Sequence, residues 1–178
     1  MTSDEQLMAR VAQGEDDALA LLLERWRGPL YGFLSRRAPS ADTDDLFQET
    51  WLRVVRHRDR FDPARRFSTW LFQIANNLCR DRARRRAVRE RHRIEAQAEA
   101  RDDPARRSAP PLDGALDVRA RVAALPERLR EVLVLRYYRD LPEKEIAQIA
   151  GIPPGTVKSR LHAALRVLRD GMEDGDEP

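Results

Sequence analysis

The segment from Leu141 to Arg169 constrains the fold more than any other part of the chain. It reads LPEKEIAQIAGIPPGTVKSRLHAALRVLR, in which two helical patterns flank a Gly-Ile-Pro-Pro-Gly turn. Pro142 suits a first helical turn, Gly151 can adopt the left-handed conformation that ends a helix, and Thr156 can cap the next helix with its hydroxyl. These positions predict a helix, a tight turn and a second helix.

The two predicted helices must pack closely where they cross. Ala147 and Gly151 supply small side chains on the first helix. The inward stripe predicted for the second helix is Val157, Leu161, Leu165 and Leu168. This orientation leaves donor-rich side chains exposed near its amino end: Lys158, Ser159, Arg160 and His162. Such a helix is typical of those that enter the major groove of DNA, although an ordinary helical hairpin with solvated charges is the alternative.

Helical patterns also account for the rest of the chain, and no alternating strand pattern competes with them. The 178 residues suffice for one medium or two small domains. A segment rich in proline and charge, RDDPARRSAPPLDG, interrupts the helical patterns. We therefore predict an all-α fold of two small helical domains, 1–93 and 116–173, joined by a flexible linker at 94–115.

The charge distribution indicates a polyanionic partner. Lysine and arginine total 33, and lysine occurs only at 144 and 158, so 33 − 2 = 31 are arginines. Arginine suits bidentate contacts with phosphate and guanine, although codon bias in a GC-rich genome would also explain its abundance. The net charge is only +3, but eight arginines lie between Arg80 and Arg93. A polyanion could bind along that stretch.

The single cysteine, Cys79, excludes an internal disulfide and a cysteine-based zinc cluster, and its expected role is packing. Asp4 and Glu5 stand where a secretory signal requires positive charge, and the apolar stretch 18–23 is too short to span a bilayer. We expect a cytoplasmic protein that needs no membrane insertion, metal or cofactor.

The pattern DTDDLFQETWLRVV predicts an amphipathic helix with two distinct faces. One face is apolar: Leu46, Phe47, Thr50, Trp51 and Val54. The other carries a leucine among acidic and amide groups: Asp45, Gln48, Glu49 and Leu52. This second face is a candidate docking patch for a basic protein, although single exposed leucines are normal.

The next helical pattern, STWLFQIANNLCRDRARRRA, combines amides and arginines on one face. Its predicted core residues are Leu71, Ile74, Ala75 and Leu78. The opposite face carries Gln73, Asn76, Asn77, Arg80 and Arg84, with Trp70 at its margin. Amides suit base edges and arginines suit phosphates, so this face predicts contact with nucleic acid; a solvated basic face is the alternative.

The preceding loop, RFDPARRFSTW, interleaves aromatic residues with arginines, which is typical of sites for single-stranded nucleic acid. Phe61 and Phe67 are expected to pack in the core at the helix entry. The better contact candidates are Arg65, Arg66, Ser68 and Thr69.

These segments together resemble one family over nearly the whole chain. The resemblance rests on three segments, which occur in this order: DTDDLFQETWLRVV, FSTWLFQIANNLCRDRARRR and LPERLREVLVLRYYRDLPEKEIAQIAGIPPGTVKSRLHAALRVLR. The chain resembles bacterial RNA polymerase sigma factors of the extracytoplasmic-function group, which consist of two helical domains, region 2 and region 4, and a linker. The resemblance implies a promoter-specificity subunit that is not itself an enzyme.

The resemblance also implies a role for each surface. Asp45, Gln48, Glu49 and Leu52 would bind the clamp helices of the largest polymerase subunit. The melted non-template strand of the minus-ten element would contact Arg65, Arg66, Ser68, Thr69, Trp70, Gln73, Asn77, Arg80 and Arg84. The duplex minus-thirty-five element would contact Thr156, Lys158, Ser159, Arg160 and His162. The linker would pass near the RNA exit path, and an anti-sigma protein is a further expected partner.

Two positions depart from the family pattern. Ala163 stands where an arginine is common, which implies a missing base or phosphate contact and an altered upstream preference. Pro142 replaces the usual capping serine, but proline is well tolerated in a first turn. The alternative function is a stand-alone helix-turn-helix regulator that binds duplex DNA without polymerase.

Overall fold

A computed structural model describes the backbone of residues 2–99 and 117–173 and the side chains of residues 2–95 and 118–170. All regular structure in these ranges is helical, which confirms the all-α fold. The elements are α1 (Asp4–Ala12), α2 (Asp16–Arg37), α3 (Ser40–Arg56), a 3-10 turn (Arg58–Arg60), α4 (Phe67–Glu99), α5 (Asp117–Ala124), α6 (Glu127–Tyr137), α7 (Glu143–Ala150) and α8 (Pro154–Glu173).

Helix α4 continues beyond the predicted end of the first domain at residue 93. Residues 94–99, which begin the predicted linker, are therefore helical. The rest of that linker, 100–115, lies outside the described residues.

Helices α1 to α4 enclose a core rich in aromatic rings. Phe61 and Phe67 are buried as predicted, and their ring centroids lie 6.0 Å apart in an edge-to-face arrangement. Trp70 packs 5.2 Å from Phe61, and Trp26 packs 6.1 Å from Phe67. Such aromatic pairs add about 0.5–1.5 kcal/mol each beyond their buried area. The cluster fixes the beginning of α4, where the predicted DNA-contacting residues lie.

Helices α7 and α8 form the predicted helix-turn-helix. Gly151 ends α7 with a φ of 63°, which is the left-handed conformation expected for it. A Cβ atom at Gly151 would meet no other atom within 4 Å. The backbone conformation, rather than close helix packing as predicted, therefore requires glycine at this position.

The capping role predicted for Thr156 is wrong. Helix α8 begins at Pro154, so Thr156 lies within its first turn. The backbone N–H of Thr156 donates to the carbonyl oxygen of Pro153 at 2.9 Å. The paired prolines start the helix earlier because a proline needs no hydrogen-bond partner for its nitrogen in a first turn.

The inward stripe of α8 also differs from the prediction at one position. Leu165 is 41% exposed, whereas Ala164 is fully buried. Ala164 packs in a small apolar cluster with Leu129 and Leu133 of α6. The stripe therefore turns toward α6, and the small alanine permits the close approach that a leucine would prevent.

The two domains pack directly against each other. Helices α2 and α4 of the first domain contact α6 and α7 of the second. Leu135 of α6 and Ile146 of α7 are fully buried in the same apolar cluster as Phe72 of α4. The described part of the chain thus shares one continuous apolar core between its two domains.

Candidate nucleic-acid interface

The four residues predicted to bind a protein partner line one groove of about 430 Å³ beside α3 and α4: Asp45, Gln48, Glu49 and Leu52. Leu52 is 56% exposed. An Asp45 carboxylate oxygen lies 3.7 Å from Arg82 Nη2, and a Glu49 oxygen accepts a hydrogen bond from Arg53 Nε at 3.0 Å. An exposed leucine among carboxylates suits a basic protein surface.

The residues predicted to bind the minus-ten strand begin before α4 and continue along it. The exposed ones are Arg65, Arg66, Asn77 and Arg84, and the half-buried ones are Ser68, Thr69, Trp70, Gln73 and Arg80. Five of them line one cavity of about 480 Å³: Arg65, Arg66, Thr69, Trp70 and Gln73. The structure therefore brings the loop and the first turns of α4 into one surface.

The second domain closes one side of this cavity. Lys144, Glu145 and Gln148 of α7 line it opposite the residues of the first domain. Arg66 Nη1 donates a hydrogen bond to a carboxylate oxygen of Glu145 at 2.9 Å. A predicted DNA contact is thus engaged by α7.

Asn76 lies elsewhere than the sequence pattern predicts. It was expected on the exposed amide face of α4, but it is fully buried. Its side-chain oxygen accepts a hydrogen bond from Arg37 at 3.0 Å, and its nitrogen donates to Glu131 at 2.5 Å. Asn76 is buried because α6 of the second domain covers this part of α4.

Glu131 of α6 is the centre of a buried polar network that the sequence analysis missed. Its side chain is only 2% exposed. Arg80 Nη2 lies 2.7 Å and 2.9 Å from the two carboxylate oxygens. The same Arg80 nitrogen donates at 2.7 Å to the carbonyl of Ala150, the last residue of α7. Arg160 Nη1 of α8 lies 3.6 Å from Glu131. One carboxylate thus pairs with a predicted minus-ten arginine and a predicted minus-thirty-five arginine.

The predicted reading helix, α8, keeps most of its contact residues accessible. Lys158, Ser159 and His162 are exposed, whereas Thr156 and Arg160 are half-buried. The Ser159 hydroxyl donates a hydrogen bond to the carbonyl of Thr156 at 3.0 Å. The exposed amino end of α8 has the geometry by which helix-turn-helix proteins contact base edges.

A second set of contacts between the domains involves the turn after α6. The Tyr138 hydroxyl lies so close to α2 that it occupies the space that a Cβ atom on residue 32 would need. The Arg36 guanidinium lies 3.8 Å from the centre of the same ring. Arg139 lies 4.8 Å from the Phe72 ring, and burial lowers the pKa of this guanidinium. An alanine at position 32 would therefore require the Tyr138 ring to move.

Cys79 is buried, as predicted, beside the domain interface. It lines a cavity of about 380 Å³ together with Arg37 of α2 and with Glu127 and Arg130 of α6. Burial raises the pKa of the Cys79 thiol to about 11. The described side chains include no cluster of three metal-ligating residues, and no described helix is long and apolar enough to cross a membrane.

Two families match the chain, one in each domain. Residues 22–89 match Sigma-70 region 2, and residues 115–168 match Sigma-70 region 4. Together these matches cover more than half of the chain. They lie in the order that the sequence motifs predict.

Similar proteins extend the match over nearly the full length. The chain is 30% identical to the ECF RNA polymerase sigma factor SigW of Bacillus subtilis, over 93% of this chain and 94% of that protein. It is 33% identical to the RNA polymerase sigma factor CarQ of Myxococcus xanthus, over 92% and 94%. The solved structure of CnrH in complex with the cytosolic domain of CnrY has a TM-score of 0.70 and 28% identity, covering 99% of this chain and 100% of CnrH. The chain therefore belongs to the extracytoplasmic-function sigma factors, the promoter-specificity subunits of bacterial RNA polymerase.

Proposed function

We propose that this sigma factor directs core RNA polymerase to its promoters through three surfaces and catalyses no reaction itself. Two family matches in the expected order carry this proposal, together with the accessible side chains at each matched surface. Region 2 would comprise residues 1–93 and region 4 residues 116–173, connected by a linker at 94–115. We place its site of action in the cytoplasm, where the polymerase works.

The groove beside α3 is the proposed surface for core polymerase. Its exposed Leu52 supplies apolar area, while Asp45 and Glu49 supply charge for a basic partner. Gln48 lies at the same surface and completes the set of proposed contacts.

The loop before α4 and the exposed face of that helix form the proposed surface for the melted non-template strand of the minus-ten element. Trp70 supplies a ring for an unstacked base, and Arg65 and Arg84 supply exposed charge for phosphates. The other proposed contacts on this surface are Arg66, Ser68, Thr69, Gln73, Asn77 and Arg80. The surface combines phosphate binding with access to bases.

The amino end of α8 is the proposed reader of the duplex minus-thirty-five element. Its exposed donors are Lys158, Ser159 and His162, with Thr156 and Arg160 beside them. A good bidentate base contact discriminates between bases by roughly 1–3 kcal/mol. An anti-sigma protein is a further proposed partner, supported by the structure of CnrH with a domain of a second protein.

Mapping of transcript starts tests this function. The purified chain is mixed with core polymerase and a GC-rich genomic library, and the starts of run-off transcripts are determined. We expect starts that require both components and share an upstream and a downstream element. Absence of both core binding and specific starts would falsify the proposal. Tight sequence-specific binding to duplex DNA without polymerase would instead favour the stand-alone regulator.

A single variant tests the reading helix. Lys158→Ala removes an exposed charge at the amino end of α8, so promoter affinity should fall and the log-log salt slope should decrease by about 0.9. Arg166→Ala removes the same charge from an exposed position further along α8 and serves as the control. Equal salt slopes for the two variants would contradict the assignment of Lys158.

A further inference from the structure

The cavity beside Cys79 lies apart from the three surfaces of the proposed function. It has a volume of about 380 Å³ and lies between the end of α2, the beginning of α3, the middle of α4 and the beginning of α6. Its described lining residues include none that is proposed to contact polymerase or DNA. They include four arginines: Arg37, Arg82, Arg86 and Arg130. The proposed function therefore does not account for this concentration of positive charge.

The arginines of the cavity outnumber its carboxylates. The carboxylates that line it are Asp42, Glu90 and Glu127. Glu90 pairs at 2.7 Å with Arg93, which does not line the cavity, so its charge is already balanced. Arg82 also lies 3.7 Å from Asp45 outside the cavity, but that carboxylate is 70% exposed and solvent screens it. Four positive charges therefore face two negative ones, and a dianion would balance the difference.

Arg37 is the most deeply buried of the four arginines, and it has an unsatisfied donor. Its side chain is fully buried, and its Nη2 atom lies 2.7 Å from a carboxylate oxygen of Glu127 and 3.0 Å from the side-chain oxygen of Asn76. Its Nε atom is also buried but finds no acceptor among the described residues, and the same is true of Arg130 Nε. Buried donors without a partner are rare in proteins. Two of them at one cavity indicate that an acceptor from outside the chain binds there.

Two helices begin at the same cavity. Pro39, which precedes the first turn of α3, and Glu127, the first residue of α6, both line it. Neither helix has a side chain that caps its first backbone N–H groups. These N–H groups and the positive end of each helix dipole favour a nearby anion. The two helices therefore add to the attraction that the arginines provide.

We propose that this cavity binds a small phosphate-bearing dianion, with Arg37 and Arg130 as its inner contacts and Arg86 at the exposed entrance. Guanidinium groups suit this ligand because their parallel N–H donors match the oxygens of a phosphate. The walls between the arginines are short and apolar: Ala38, Pro39, Ala83 and Ala87. The cavity thus has space for a compact organic group beside the phosphate, so free phosphate and a small phosphate ester share the chemistry that it recognises.

Isothermal titration calorimetry on the purified full-length chain tests the proposal. The probes are inorganic phosphate and phenyl phosphate at about pH 8, where both are dianions because the second pKa of a phosphate group is about 6. Each is titrated at one fixed ionic strength against sodium chloride, and we expect one saturable site per chain. Tighter binding of phenyl phosphate would identify an ester as the ligand, and equal or tighter binding of inorganic phosphate would identify the free anion. Absence of saturable binding for both probes would overturn the proposal.

Two pairs of variants distinguish the cavity from the basic surface of α4. Arg86→Ala removes a charge at the entrance and Ala87→Glu adds a carboxylate to the wall, so each should weaken binding about fivefold or more. Arg85→Ala removes the same charge from a residue that lines the groove beside α3, and Val88→Glu adds the same charge outside the cavity. Both controls should bind within about twofold of wild type. Equal weakening in Arg85→Ala and Arg86→Ala would show nonspecific attraction and overturn the site.

Cys79 locates the bound anion independently. The thiol of this single cysteine lines the cavity and is 2% exposed. At a probe concentration of about ten times the dissociation constant, its reaction with an aromatic disulfide reagent should slow about tenfold relative to sodium chloride of equal ionic strength. Under the same conditions Ala87→Glu should show a clearly smaller effect, with an unchanged circular dichroism spectrum because residue 87 is exposed. Saturable binding that leaves the labelling rate of wild type unchanged would place the anion elsewhere and overturn the proposal.

Discussion

The side-chain oxygen Oε1 of Glu5 in α1 accepts a hydrogen bond from the backbone N–H of Phe67, the first residue of α4, at 3.0 Å. The first turn of a helix has free N–H groups that need partners. Here a residue far away in the sequence supplies one. Helix α1 thereby fixes the beginning of the helix that carries the proposed minus-ten residues.

This hydrogen bond predicts a pH dependence of stability. The N–H of Phe67 is the main reason why the pKa of Glu5 lies below its ordinary value of 4.5. A lowered pKa contributes stability above about pH 4.5, and the contribution is lost as the pH falls through the pKa of the folded state. We expect Glu5→Ala to lower the free energy of unfolding by about 1 kcal/mol near neutral pH and by less near pH 3. Urea unfolding at both pH values measures this, with the exposed Glu24→Ala as control; equal losses at the two pH values would contradict it.

Replacement of Gly151 should lower the free energy of unfolding through backbone conformation alone. Its φ is 63°, and a Cβ atom there would meet nothing within 4 Å. Gly151→Ala should therefore destabilise the chain by roughly 1–2 kcal/mol through backbone strain alone. Gly155→Ala also adds a methyl group in open space, but at a position without a positive φ, so it should not destabilise. Thermal unfolding measures both variants, and equal midpoints would refute the strain argument.

Leu52 predicts a loss of polymerase binding without a loss of stability. Leu52→Arg places a positive charge in the middle of the proposed basic-partner surface, so affinity for core polymerase should fall by about tenfold or more, which is ~1.4 kcal/mol. The unfolding free energy should stay within ~0.5 kcal/mol because the side chain is exposed. Leu21→Arg changes a leucine that is 47% exposed outside this groove and is the control. The idea fails if both variants bind core polymerase equally well.

Substitution of two adjacent asparagines on α4 should affect two different properties, promoter melting and stability. Asn77 is exposed, so Asn77→Ala should slow promoter melting by holoenzyme while leaving initial binding and stability nearly unchanged. Asn76 is buried with hydrogen bonds to Arg37 and Glu131, so Asn76→Ala should reduce the unfolding free energy by about 1–3 kcal/mol. The time course of permanganate reactivity measures melting, and urea unfolding measures stability. An unaltered permanganate time course for Asn77→Ala would contradict its assignment to the melted strand.

Local pattern was enough to predict the helices and the aromatic core. Apolar periodicity located the helices, and the need for a left-handed residue located the end of α7 at Gly151. Phe61 and Phe67 could be assigned to the core because aromatic residues at a helix entry usually pack inward. These features depend on neighbours in the sequence, which is why sequence reasoning recovers them.

Contacts between the domains could not be predicted in the same way. A helical wheel placed Asn76 with Asn77 on one polar face, and only the packing of α6 separates them. Glu131 stands within the apolar stretch of α6, and an acid among the apolar residues of that helix was the available signal. Its arginine partners lie in other helices, so no local spacing identifies them. The crowding at Gly32 likewise arises from a ring that lies across the interface, that of Tyr138.

The length of α4 determines where the segment between the two domains begins. All side chains from residue 84 to residue 95 are exposed, and the helix extends to Glu99. Sixteen residues at 1.5 Å each give this exposed stretch of helix a length of about 24 Å. The chain therefore leaves the first domain at the end of a long exposed helix rather than directly at the domain surface. Under the proposed function, the spacing between promoter elements that one molecule can reach would depend on the direction of this helix as well as on the number of residues that follow it.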